Sequence, residues 1–216
     1  NTRFRPWRWG FDSLWTRMND IINKVRKEVC DLFLEESEDI HATYRTGSWI
    51  FPNHFDPMIK ISKDLCLEYG GDVEICELAC LLHDAGLVYK REGKSSRGHE
   101  KNSLEFARKV LSKHGFEESK ICMVLKCIEA TEIKCNPNDV NEKIVRTADI
   151  LSQYYSIHFF AKARFYSEWE NYVKFLEKKV EKGFEKICFE KEREEARPIR
   201  DYLRMVLSEY KKYNSN

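Results

Sequence analysis

An all-α fold is predicted by three features of this sequence. Apolar residues recur at three- and four-residue spacing in one segment after another. No segment alternates apolar and polar residues with the period of two that a half-buried strand needs. Only nine Gly and five Pro interrupt the 216 residues, a composition suited to helices. The 37 basic and 36 acidic residues leave a net charge of +1, so the field of the whole protein selects neither nucleic acid nor a membrane surface, and a charged ligand has to be read by a local patch. The chain is long enough to bury a substantial core, and one domain over residues 1–216 is expected.

The elements follow in order. Residues 1–9 interleave Arg3, Arg5 and Arg8 with Phe4, Trp7 and Trp9, which we read as an arm packed on the body by its aromatics; the competing reading stacks it on single-stranded RNA. Leu14, Met18, Ile21, Val25, Val29 and Leu32 form one stripe, predicting a helix over about 12–36 with Asp12 or Ser13 as its cap. Residues 37–52 hold His41, Gly47 and Trp49 without a sustained period and read as a loop. Asn53 is then expected to cap a helix carrying Met58, Ile61 and Leu65, with Pro57 in the first turn, where a missing N–H costs little. Gly70-Gly71-Asp72 ends that helix and starts the next, Asp72 acting as cap.

From Val73 to Leu82 the chain is apolar on nearly every face after its first turn, as a helix surrounded by others would be. Its exit, His83-Asp84, is abruptly polar. Residues 85–98 form a loop holding Lys90, Arg91, Lys94 and Arg97 against the single acid Glu92. Helices are predicted over about 99–113, 117–130 and 140–163, then one carrying Trp169, Val173, Leu176 and Val180, and one after Pro198 carrying Tyr202, Met205, Val206 and Tyr210. The charged stretch from Glu190 to Arg197 reads as a solvated helix face. No internal repeat is visible.

Eight cysteines stand at 30, 66, 76, 80, 122, 127, 135 and 188 with no Cys-x-x-Cys pair, so reduced, largely buried thiols are expected rather than a zinc or disulfide framework. Apolar runs fall far short of the roughly 20 residues of a membrane span. The N-terminal residues also lack the apolar core of a signal peptide. A cytoplasmic protein with no membrane partner is the expectation.

His54 and His83 stand at the outer ends of two successive helices. The rise from 54 to 70 is about 24 Å and the return from 72 to 83 about 17 Å, so an antiparallel hairpin returns the imidazoles to within about a turn of each other. Asp84 adjoins one of them, and Asp149 supplies a second carboxylate from the apolar helix Ile144-Val-Arg-Thr-Ala-Asp-Ile-Leu. Two imidazoles and two carboxylates suit one divalent ion such as Mn, Co, Ni, Fe, Zn or Mg, with positions left for water. The bland readings are a helix-start His54, a helix end at His83-Asp84 satisfied by backbone, and an Asp149 paired with Arg146 one turn earlier; the last is worth roughly a few tenths of a kcal/mol at a surface.

In this order, His54, His83-Asp84 and Asp149 resemble the H…HD…D signature of the HD superfamily of metal-dependent phosphohydrolases. The resemblance covers about residues 50–160, with flanking helices over about 12–36 and 165–213. It implies a helical domain, a metal held by His54, His83, Asp84 and Asp149, and hydrolysis of a small phosphoester, often a nucleotide, by metal-activated water. Asp84 is expected to bind metal and to orient or deprotonate that water. Gly98-His99-Glu100-Lys101 resembles the family's helix start after the metal loop, which gives His99 a phosphate or catalytic role and Lys101 a place beside the substrate. Lys90, Arg91, Lys94 and Arg97 either neutralise substrate phosphates or form a solvated loop. Cys127-Ile128-Glu129-Ala130-Thr131 lacks a histidine that two-metal relatives carry there, so one metal is expected. Leu87 stands where relatives carry Lys or Glu, so no general acid or base carries over at that position. His114 reads as a cation at a helix C-terminus, and neither His41 nor His158 has a partner the sequence can name. A non-catalytic module of the same fold, binding a nucleotide or a partner protein, is the alternative.

Overall fold

The structure is a computed structural model that describes residues 12–35, 49–89, 99–132, 135–163 and 166–214, with side chains in the first helix described from Asp20 to Leu34. The N-terminal arm, the loop with His41, and the basic loop with Lys90, Arg91, Lys94 and Arg97 lie outside the described residues. Those residues form helices α1 (Asp12–Glu35), α2 (Asp56–Tyr69), α3 (Val73–Leu82), α4 (His99–Lys113), α5 (Glu118–Ala130), α6 (Val140–Tyr154), α7 (His158–Ala163), α8 (Trp169–Glu185) and α9 (Glu190–Asn214). No strand occurs among them, and the fold is all-α as expected. No helix of the described residues is long and apolar enough to cross a membrane.

Two helices form the centre. In α3, Ile75, Cys76 and every residue from Leu78 to Leu82 are sealed from solvent, each large aliphatic contributing roughly 1.5–3 kcal/mol by burial. The Asp72 carboxylate accepts from the backbone N–H groups of Glu74 and Ile75 at 2.9 and 3.1 Å, capping α3 as the sequence predicts. Gly70 ends α2 at φ +77°, a left-handed conformation that favours glycine. The second central helix is α6, in which every residue from Ile144 to Tyr154 is buried. One core joins α1 to α5 and the first half of α6. Another joins the second half of α6 to α7, α8 and α9.

All eight cysteines are free thiols. His114 lies at the end of α4 as expected, its Nε2 2.6 Å from the Glu28 carboxylate of α1.

Three boundaries differ from the sequence expectation, each for a local reason. Asn53 does not cap a helix. Phe51–Phe55 form a single π-helical turn that runs into α2 at Asp56. Pro57 has no N–H to offer the carbonyl of Asn53, four residues back, and that carbonyl instead accepts from the Ser156 hydroxyl at 2.7 Å. The helix expected to run to residue 163 ends at Tyr154, and Ser156 accepts from the His158 N–H at 3.1 Å to start α7. One serine thus breaks the long helix and ties the break to the turn that carries His54. Finally, α9 begins at Glu190 and passes through Pro198. Its early turns are anchored by Glu192, which accepts from the Tyr69 hydroxyl at 2.7 Å, and by the buried Ala196. That tertiary packing outweighs the bond and ring clash Pro198 costs the helix.

Candidate metal centre

The antiparallel pair α2 and α3 closes the 29-residue gap completely. His54 Nε2 and His83 Nε2 lie 3.1 Å apart. His54 sits on the π-helical turn before α2, and His83 is the C-cap of α3. Both rings are buried, His54 at 2% and His83 at 5% exposure.

The surroundings fix the tautomer of each ring. His83 Nδ1 lies 2.9 Å from the Cys80 carbonyl, which can only accept, so Nδ1 carries the proton. His54 Nδ1 lies 2.8 Å from Ser152 Oγ, and that hydroxyl already donates its one proton to the Asp149 carbonyl. Oγ therefore accepts, and His54 Nδ1 is protonated too. In their neutral forms both imidazoles point an Nε2 lone pair into the same small space, an arrangement that repels unless a cation stands between them.

The carboxylates complete that space. His54 Nε2, His83 Nε2 and an Asp149 oxygen lie within 4.8 Å of one another. Asp149 Oδ1 is 3.5 Å from His54 Nε2 and accepts from Gln153 Nε2 at 3.0 Å, which fixes its orientation. Asp84 Oδ2 is 3.4 Å from His83 Nε2 and 3.6 Å from His54 Nε2. Arg146 does not compete for Asp149, since its guanidinium is turned to the Cys135 carbonyl. Two imidazole nitrogens with tautomers set by outer hydrogen bonds and the Asp149 carboxylate fit a divalent metal ion, and Asp84 stands beside them.

Electrostatics follow from this crowding. Burial works against the cationic form of His83, but the charge and hydrogen bond of Asp84, and then Asp149, outweigh it and raise the ring to about 9. Burial dominates at His54, lowering it, with the neighbouring His83 adding to the effect. For Asp84 burial opposes ionisation, yet His83 and His54 hold the carboxyl well below the usual carboxylate range. A single positive charge between the imidazoles is what the four groups favour.

His99 is brought to the site by α4. Its Nε2 lies 3.9 Å from Asp84 Oδ1, on the more open side, where Asp84 keeps 22% and His99 27% side-chain exposure. Gly86 makes this possible. A Cβ there would fall 1.9 Å from the His99 carbonyl oxygen, and the Gly86 N–H donates to Ser103 Oγ at 2.8 Å. Lys101, two residues on, is exposed and makes no hydrogen bond or ion pair with the cluster. His158 is buried behind His54 at a ring separation of 5.0 Å, neither nitrogen hydrogen-bonded, and burial keeps it neutral as part of the wall.

The sequence reading missed Ser152 and Gln153, which fall three and four residues after Asp149 on α6 and orient two ligands. Their signal was the i+3/i+4 spacing from the proposed carboxylate. It also missed Glu132, a half-buried acid raised by burial and by Glu100, and lowered by His99. Fold and site together define an all-helical protein with a buried His-His-Asp group at the junction of α2, α3 and α6. Residues 53–154 match the family model of the HD domain, which is consistent with an HD-superfamily protein. Comparison with curated proteins and with solved structures finds no match.

Proposed function

We propose that this chain is a metal-dependent phosphohydrolase that cleaves a small phosphoester, a nucleotide being the expected class. The observation that carries the reading is the 3.1 Å approach of two imidazole nitrogens whose opposite nitrogens are both committed as donors. One divalent ion bound by His54, His83, Asp84 and Asp149 would lower the pKa of water and polarise a phosphoryl oxygen. Substrate approaches from the Asp84 and His99 side, because the imidazole pair is sealed on the other faces. There the Asp84 carboxylate accepts a hydrogen bond from the attacking water and orients it. His99, across from Asp84, donates to the phosphate oxygens.

The test is a panel of nucleoside mono-, di- and triphosphates, cyclic nucleotides and generic phosphoesters, assayed for phosphate or nucleoside release with and without added divalent metal. Metal-dependent release lost in Asp84→Asn supports the reading. A metal-loaded protein silent on the whole panel would point to the non-catalytic binding module instead.

A further inference from the structure

The substrate cations expected from the basic loop have a counterpart on α8. Phe175, Lys178, Lys179 and Lys182 recur at three- and four-residue spacing, and Lys186 follows one turn past Lys182, so all five share one face. Glu177 and Glu181 take another face, where they pair with Lys211 and Arg204 of α9. On that other face the two acids are matched, whereas the lysines beside Phe175 are not. Among the described residues, no carboxylate lies within ion-pair distance of Lys178, Lys179 or Lys182.

These lysines surround a cavity of about 130 Å³ whose floor is Ile150, Phe175 and Gly183. Lys162 of α7 lies over the Phe175 ring at 5.2 Å. The ammonium groups of Lys178, Lys179 and Lys182, none with a carboxylate at ion-pair distance among the described residues, repel one another, and a bound anion relieves that repulsion. One lining residue, Lys186, also reaches toward the metal centre. Ile150 directly follows Asp149 on α6. Lys186 donates to the Thr131 carbonyl at 2.7 Å, at the end of α5, and its ammonium is within electrostatic reach of Asp149 and of Glu132.

We propose that this lysine-lined cavity binds phosphate groups of a small polyphosphorylated ligand. Combined with the phosphohydrolase reading, on which this part rests, the substrate is an organic phosphate with two or more phosphate groups. One phosphate is attacked at the metal centre and another is held by Lys178, Lys179 and Lys182. Its size suits a short phosphate chain and is too small for a nucleic-acid strand.

Inorganic tripolyphosphate is the probe, titrated calorimetrically into the full chain at low salt. Removing two ammonium groups in a Lys179→Gln/Lys182→Gln double variant is expected to weaken binding roughly tenfold or more. A Lys179→Arg/Lys182→Arg variant is expected to retain it, and so is His83→Ala, which leaves the lysines in place. The proposal is overturned if wild-type protein does not bind tripolyphosphate, if the glutamine variant binds it as wild type does, or if His83→Ala abolishes binding while the glutamine variant keeps it. The link to substrate has its own readout. The glutamine variant should raise KM for a polyphosphorylated substrate by a far larger factor than KM for p-nitrophenyl phosphate, and equal effects on both would break that link. Should the chain hydrolyse nothing, the phosphohydrolase reading falls, while lysine-dependent tripolyphosphate binding still decides the cavity.

Discussion

His54 and His83 meet nitrogen to nitrogen at 3.1 Å, and each ring's far nitrogen is spent on an oxygen, Ser152 Oγ for one and the Cys80 carbonyl for the other. Neither imidazole can turn its N–H toward its neighbour without forfeiting that bond. A shared cation, either a proton or a metal ion, is the economical occupant of the space between them.

In metal-free protein the proton takes that role, with a consequence for pH. Burial disfavours charged His83, but Asp84 and Asp149 prevail and its folded value is raised to about 9, against roughly 6.5 for an unfolded histidine. A raised pKa contributes stability that is fully present below the unfolded value and lost as pH rises through the folded one. Urea midpoints of metal-free protein should therefore fall between about pH 6.5 and 9. His83→Ala should remove this slope. An unchanged slope in the variant would assign it to other groups. Metal competes with the same proton, so metal affinity should rise across the window.

Ser152 holds the His54 ring and also donates to the Asp149 carbonyl, so it would act on a bound metal through its ligands. Ser152→Ala removes the acceptor that holds Nδ1–H and leaves His54 free to change tautomer. Loss of such an outer partner costs about 10–100-fold in metal affinity, readable by competition with a chelator. Thermal stability should change far less than it does for a ligand variant. Metal affinity equal to wild type would show that the ring is oriented by packing alone.

Gly86 is where the loop after the ligand pair touches the helix that carries His99. Gly86→Ala forces a methyl group into the His99 carbonyl at 1.9 Å, a backbone contact that no side-chain rotation relieves. Overpacking of this kind costs typically about 1–3 kcal/mol, and a chain of this size loses roughly 2–4 °C in Tm per kcal/mol. A melting temperature within a degree of wild type would mean that α4 can move off the loop freely.

Much of this was legible in the sequence because it rests on short-range rules. The stripes of α1 to α5, the Asp72 cap and the Gly70 stop depend on neighbours within a turn or two. The histidine pair depends only on helix rise. Ser156 was not legible as a pivot, since its hydroxyl answers a carbonyl orphaned by Pro57 more than a hundred positions away in coupling terms that no local pattern carries. Pro198 misled in the opposite direction. Its local signal says that a helix begins there, whereas Glu192 and Ala196 extend α9 backward by packing on distant elements. Asp149 was legible as a candidate, but the identity of its partner was not. Arg146 is nearer in sequence, and the fold gives it a backbone carbonyl instead.

The most direct test of the metal centre is metal stoichiometry by elemental analysis after dialysis of wild-type protein and of His54→Ala against a mixture of divalent ions. The arrangement of His54, His83, Asp84 and Asp149 predicts close to one ion per chain in the wild type and little above background in the variant. A wild-type protein that retains no ion, or a variant that retains as much as the wild type, would contradict it.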